Sequence, residues 1–263
     1  MSFAPVIPLD GLAGWAFLKR TRETQQAAFE KSPALTRETR AFAERIGAVR
    51  TAEDLVSDRA LLKVALGAFG LQADLGSRFF IRQVLEQGTE PGALATRLSD
   101  KRYREMTEAF GFGRPGLPQT AKPGFAQKII AAYQARSFEE AVGEASPDMR
   151  LALGLERDLT ALASRDASEA TRWYTLIGTP PLRQVFETAF GLPKAFGTLD
   201  VDRQVGILQE RTRAAFGSDA LSRFAEPGAR EDLTRLFLAR AQIAAGAQGQ
   251  SSAQIALTLL GGR

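Results

Sequence analysis

The chain has no cysteine and no histidine. Without cysteine there are no disulfides, no thiolate nucleophile and no cysteine metal site. The missing histidine excludes more, because imidazole is the commonest general base and metal ligand near neutral pH. Ser-His-Asp and Cys-His arrangements are impossible, and so is zinc held by imidazole. Only oxygen ligands remain, which suit weakly held hard cations. We therefore expect no resident metal, no cofactor and no catalytic residues. Gly-Lys-Ser/Thr phosphate loops are also absent.

Long apolar runs and blocks of like charge are missing too. No segment reaches the roughly 18 apolar residues that a membrane span needs. The stretch from Gly11 to Leu18 is apolar, but Asp10 precedes it and Lys19-Arg20 follow at once. That order is wrong for a secretory signal, whose basic residues come first. The expectation is a cytoplasmic protein, or one exported without a cleavable signal. The net charge is +4 and the pI about 9.6. Basic and acidic residues interleave, as in Arg20-Thr21-Arg22-Glu23 and Arg37-Glu38-Thr39-Arg40. The densest basic cluster, Lys101-Arg102-Tyr103-Arg104, is bracketed by Asp100 and Glu105. Nucleic acid is therefore not an expected partner.

What is present is helical periodicity and a diverged internal repeat. With 44% hydrophobic residues over 263, there is ample material for a core. The word Ala68-Phe69-Gly70-Leu71 returns as Ala189-Phe190-Gly191-Leu192. At the same offset Leu55-Val56 pairs with Leu176-Ile177, Leu61 with Leu182, and Val64 with Val185. After a slip of a few residues Leu98 pairs with Phe224, Arg104-Glu105 with Arg230-Glu231, and Phe110 with Phe237. Phe69, Phe110, Phe190 and Phe237 are expected to be buried at equivalent positions. No alternating β-branched run occurs between hairpin turns. The expected fold class is all-α, multihelical, with two diverged internal repeats.

Local signals place the helices. Ala60, Leu61, Val64, Ala65, Ala68 and Phe69 form one helical face, capped by Ser57-Asp58 and stopped by Gly70. Thr179 with Pro180-Pro181 starts the second copy and Gly191 stops it. Ser32-Pro33 and Ser146-Pro147 each open a helix. Asp74 to Gln87 is expected to bury Leu75, Phe79, Val84 and Leu85. Val201 to Phe216 is its counterpart. Ser99 is the expected cap of the helix ending at Phe110, and Pro227 opens the last one.

Breaks then suggest an organisation. Residues 1–31 form an N-terminal segment and 32–113 a first helical repeat. The stretch 114–124, dense in Gly and Pro, is a linker. Residues 125–245 form a second repeat, and 246–263 a small, polar, flexible tail ending in an apolar patch. That patch, Ile255, Leu257, Leu259 and Leu260, either docks on its own domain or binds a partner.

Few residues offer chemistry. Gly111, Gly113 and Gly116 spell G-x-G-x-x-G, but a helix rather than a strand precedes them and Pro115 interrupts. The dinucleotide fingerprint needs a strand and an opening helix. Arg104-Glu105 and Arg230-Glu231 recur, which suits a salt bridge or cap repeated with the packing. Trp173 and Tyr174 lie at helical positions beside Leu176-Ile177 and suit packing, whereas Trp15 is open to either packing or ligand stacking.

The string LSDKRYREMTEAFGFG, from Leu98 to Gly113, carries a resemblance. With the AFGL word and RFFIRQVLEQG before it, it is similar to the bacterial domain-of-unknown-function family numbered 1217. The likeness is specific over 36–113 and looser over 147–240, where Asp-Lys-Arg-Tyr is missing. The resemblance implies a multihelical fold, with the unit often present in more than one copy. It also implies a setting among flagellar genes, and it brings no catalytic residue. It makes flagellar or other assembly proteins the expected partners of a non-catalytic protein. Asp100, Lys101, Arg102 and Tyr103, with the C-terminal patch, are the candidate interaction residues. The alternative is a small-molecule binder or enzyme using Asp100, Tyr103, Arg104 and Glu105 between the repeats.

Overall fold

The computed structural model describes residues 3–113 and 118–261, with side chains described through residue 246. Among the described residues the chain is helical and contains no strand. The all-α expectation holds. The chain divides into two compact units, residues 1–6 with 21–145, and residues 7–20 with 146–263. The N-terminal segment is thus not separate. It forms α1 (Gly11–Glu30), whose first half belongs to the second unit and whose second half belongs to the first.

The first unit continues with α2 (Pro33–Arg45), α3 (Ala52–Ser57), α4 (Arg59–Ala68) and α5 (Arg78–Glu86). Then come α6 (Leu94–Arg97), α7 (Arg102–Phe110) and α8 (Phe125–Ala145). α4 is apolar on nearly every side, as a central helix must be. Leu61, Leu62, Val64, Ala65, Leu66 and Ala68 are all buried. α2, α3 and α8 pack around it. The Asp58 carboxylate caps it, accepting from the N–H groups of Ala60 (2.9 Å) and Leu61 (3.1 Å).

α8 moves the expected boundary. Phe125, Ile129 and Tyr133 on α8 join the buried cluster of the first unit, so this helix closes that unit and does not open the next. The Gly/Pro-rich stretch is therefore a connection inside the first unit. Residues 114–117 lie outside the described residues. Beyond them, Gln119–Ala121 forms a 3-10 turn whose Thr120 hydroxyl donates to the Val49 carbonyl at 2.7 Å.

The second unit comprises α9 (Pro147–Ala163), α10 (Glu169–Ile177), α11 (Pro180–Ala189), α12 (Val201–Phe216) and α13 (Pro227–Gly261). Its core is aromatic. Phe186 makes edge-on contacts with Trp173, Phe190 and Phe224 at 5.8–6.0 Å between centroids. Trp15 is buried in this unit, which settles it as a packing residue. The flexible tail is not seen. α13 runs through to Gly261, and the side chains of Ile255, Leu257, Leu259 and Leu260 lie outside the described residues.

Both AFGL words end their helices in one way. Gly70 (φ 71°) and Gly191 (φ 62°) take the left-handed conformation. The Leu71 N–H donates to Leu66 O (2.9 Å) and the Leu192 N–H to Glu187 O (2.8 Å). This is the Schellman closure, which satisfies carbonyls that the helix end leaves open. In each unit a helix, a shorter helix, this glycine-stopped helix, a 3-10 turn and a further helix follow one another, and in the first unit a further 3-10 turn, Ile46–Ala48, stands between the first two.

Four local expectations are corrected. Phe69 and Phe190 are half-buried, because each ends its helix at the rim, whereas Phe110 and Phe237 are buried. Phe79 is 71% exposed, because the buried face of α5 is Ile81, Val84 and Leu85, three and four residues apart, and Phe79 falls on the other side; Leu75, ahead of the helix, is half-buried. Ser99 does not cap α7; the Asp100 carboxylate accepts from the Arg102 N–H instead (3.0 Å). Thr179 precedes α11 without capping it, since its hydroxyl donates to Thr175 O (2.8 Å).

Candidate functional site

The polar word Asp100-Lys101-Arg102-Tyr103 starts α7, beside the carboxyl end of α4. Arg102 and Asp100 form a two-pronged ion pair, Nε to Oδ1 at 3.0 Å and Nη2 to Oδ2 at 2.6 Å. The third guanidinium nitrogen, Nη1, donates to the Gly70 carbonyl. From α8, Arg136 Nε donates to the Ala68 carbonyl at 2.9 Å. Two cations therefore meet the carbonyls that end α4, where the helix dipole is negative. A Cβ on Gly70 would lie 3.1 Å from Arg136 Nη1 and 3.3 Å from Arg102 Nη1. Glycine thus serves both the turn and the close approach of the arginines.

Tyr103 secures the next turn. Its hydroxyl donates to Asp74 Oδ2 at 2.6 Å, and its ring meets Phe80 edge-on at 5.4 Å. Burial, then the hydrogen bond and charge of Asp74, push the phenol well above its ordinary value. It stays protonated at neutral pH and acts as a donor. Lys101 Nζ donates to Leu98 O at 3.0 Å. The four residues are brought together, and each of these partners lies in the first unit.

The neighbouring candidates separate. Arg104 pairs with Glu108 at 3.1 Å, one turn along α7, and is not joined to Asp100 or Tyr103. Glu105 lies on the wall of a groove of about 350 Å³ with Phe69, Glu108 and Lys128. In the second unit Arg230 Nη1 donates to the carbonyls of Phe224 and Ala225, both at 2.6 Å. Glu231 accepts from Lys19 (2.7 Å), Trp15 (3.4 Å) and Arg235 (3.1 Å). The recurring Arg-Glu words therefore have different local partners.

The glycines of the literal G-x-G-x-x-G serve packing. Gly111 ends α7 in the left-handed conformation (φ 69°). A Cβ on Gly113 would lie 2.3 Å from the Gly88 backbone nitrogen, so two loop backbones touch there. Gly116 lies outside the described residues. No group of three or more acidic residues positioned to hold a metal ion occurs among the described residues. Among them, no helix is long and apolar enough to cross a membrane.

Sequence reasoning missed a larger groove of the first unit, about 410 Å³, lined by Phe29, Leu35, Arg37, Glu38, Lys63 and Tyr133 among others. Its residues come from separate helices and share no motif. The adjacent Arg37-Glu38 was visible only as interleaved charge.

The fold and the 98–113 segment define a class, an all-helical protein whose most distinctive polar word is bonded into its own framework. The chain belongs to the family described as "Protein of unknown function (DUF1217)", whose model matches residues 68–229. It is similar to a protein from Agrobacterium tumefaciens solved by X-ray crystallography by the Northeast Structural Genomics Consortium. The two are 25% identical with a TM-score of 0.75, over 92% of this chain and 99% of that one. No curated protein matches the chain in sequence.

Proposed function

We propose that this protein is a non-catalytic flagellum-associated factor, acting as an assembly, scaffold or export-related partner. The observation that carries the non-catalytic part is the fate of the family word. Asp100 and Arg102 bond to each other, Arg102 reaches the α4 carbonyl end, and Tyr103 is held protonated against Asp74. Groups so engaged brace a helix end and are not poised to exchange protons with a substrate. The missing histidine and cysteine point the same way. The flagellar part rests on the family resemblance. The apolar C-terminal residues 255–260 are the proposed contact element, at the end of a helix whose residues 242–246 are exposed.

Deleting the gene should impair swimming or filament assembly while growth stays normal. Removing residues 254–263 should reproduce the motility defect and leave the melting temperature within the spread of surface mutants. Normal filaments and normal swimming in the deletion strain would sink the flagellar role. A fall in melting temperature on truncation, with motility kept, would return the patch to a docking role at home.

A further inference from the structure

The 410 Å³ hollow of the first unit is an open groove, and its lining says what it would take. Gly67 makes it possible. A Cβ there would lie 2.6 Å from two ring carbons of Tyr133, so glycine lets the tyrosine ring lie across α4. The Tyr133 hydroxyl then donates to Glu38 Oε2 at 2.5 Å, and Lys63 Nζ donates to Glu38 Oε1 at 2.6 Å. Both oxygens of Glu38 are engaged and its charge is matched by Lys63. Arg37, on the same wall, is exposed, and its side chain makes no hydrogen bond or ion pair among the described residues. Two cations against one carboxylate leave the lining with a net charge of +1. The amino end of α2 forms part of the wall as well. Ser32 caps none of its N–H groups and its first turn holds no acid, so its partial positive charge adds to the same sign.

The remaining walls are apolar, chiefly Phe29 and Leu35. The volume falls in the range of roughly 300–1,000 Å³ typical of small-ligand sites, where aromatic and aliphatic walls hold a body and a few polar groups orient it. We propose that this groove binds a small amphipathic carboxylate. A medium-length acyl chain or single aryl ring lies against Phe29 and Leu35, and the carboxylate pairs with Arg37. The Tyr133–Glu38–Lys63 bonds form a fixed wall and do not contact the anion. Neither the acyl-carboxylate class nor this groove depends on the flagellar proposal.

The test uses the full chain, labelled with nitrogen-15 and titrated with sodium octanoate, with octylamine and octanol as probes of charge. Octanoate should shift groove amides in a saturable way, and octylamine should not. Arg37→Glu should weaken octanoate by about tenfold, which is near 1.4 kcal/mol. Ala34→Trp should fill the groove and abolish binding. Arg37 and Ala34 are both exposed, so both variants should keep the fold, and an unchanged amide spectrum away from the groove checks this. No saturable shift with octanoate would overturn the proposal. So would equal binding of octanol or octylamine, or Arg37→Glu binding as wild type does. Saturable shifts with an acetylated Asp-Leu-Phe peptide and none with octanoate would assign the groove to a protein partner and overturn it likewise.

Discussion

At the scale of single residues, the glycines divide by what surrounds them. In a helix interior, exchanging glycine for alanine ordinarily gains about 0.5–1 kcal/mol, because the unfolded chain loses freedom. Gly206 in α12 has open space around the added methyl and should follow that rule. Gly67 in α4 should not, since the methyl meets a buried tyrosine ring at 2.6 Å. Tyr133 cannot swing away cheaply, because Glu38 holds its hydroxyl. Gly67→Ala should therefore lose about 1–3 kcal/mol from overpacking. Urea midpoints of the two variants should move in opposite directions. A gain at Gly67 would show that the ring yields, and with it the account of the groove wall.

At the scale of elements, helix ends and inter-helix ties carry charge. Glu169 at the start of α10 is half-exposed and accepts from the Leu221 N–H at 2.7 Å and from Arg172 at 2.7 Å. Burial raises its pKa, but bonds from Ser222 and Leu221 and the Arg172 charge outweigh it and hold the carboxyl below its ordinary 4.5. Burial likewise raises Glu231, but bonds from Lys19 and Trp15 leave it below 4.5. A carboxyl lowered on folding adds stability above its unfolded value, and that stability is lost as the pH falls through the folded value. Glu169→Gln should thus be less stable than the parent at neutral pH. The gap should close as the pH falls below the ordinary glutamate range, about 4.3–4.5. Denaturant midpoints measured across that window test this. A gap that stays constant with pH would mean that packing, and not ionisation, is what Glu169 supplies.

At the scale of the whole chain, the division into units decides which fragments are autonomous. A cut at residue 124 follows the Gly/Pro-rich stretch, but it removes α8 and with it Phe125, Ile129 and Tyr133 from the first core. A cut after Ala145 leaves the first unit whole. Fragment 1–145 should unfold cooperatively in urea and give a dispersed amide spectrum. Fragment 1–124 should do neither. If 1–124 folds as well as 1–145, the boundary belongs where the sequence punctuation put it.

The sequence by itself determined the helical class, the glycine-stopped helices and the recurring words. These follow from local chemistry: 3.6-residue periodicity, caps, and a left-handed residue that only glycine takes easily. Phe110 and Phe237 were legible as core for the same reason, since each closes an apolar stripe. Only the tertiary structure decided that Arg102 and Tyr103 reach the end of α4, because their partners Gly70 and Asp74 are about thirty residues away and bear no signal of the pairing. It alone decided that α8 joins the first unit. Gly and Pro mark where regular structure stops, but which side of the break buries more apolar surface is set by the helices that meet there. The groove is the extreme case, since Glu38, Lys63 and Tyr133 come from three separate helices. A cavity is a property of how helices fail to fill space together, and no single stretch of sequence records it.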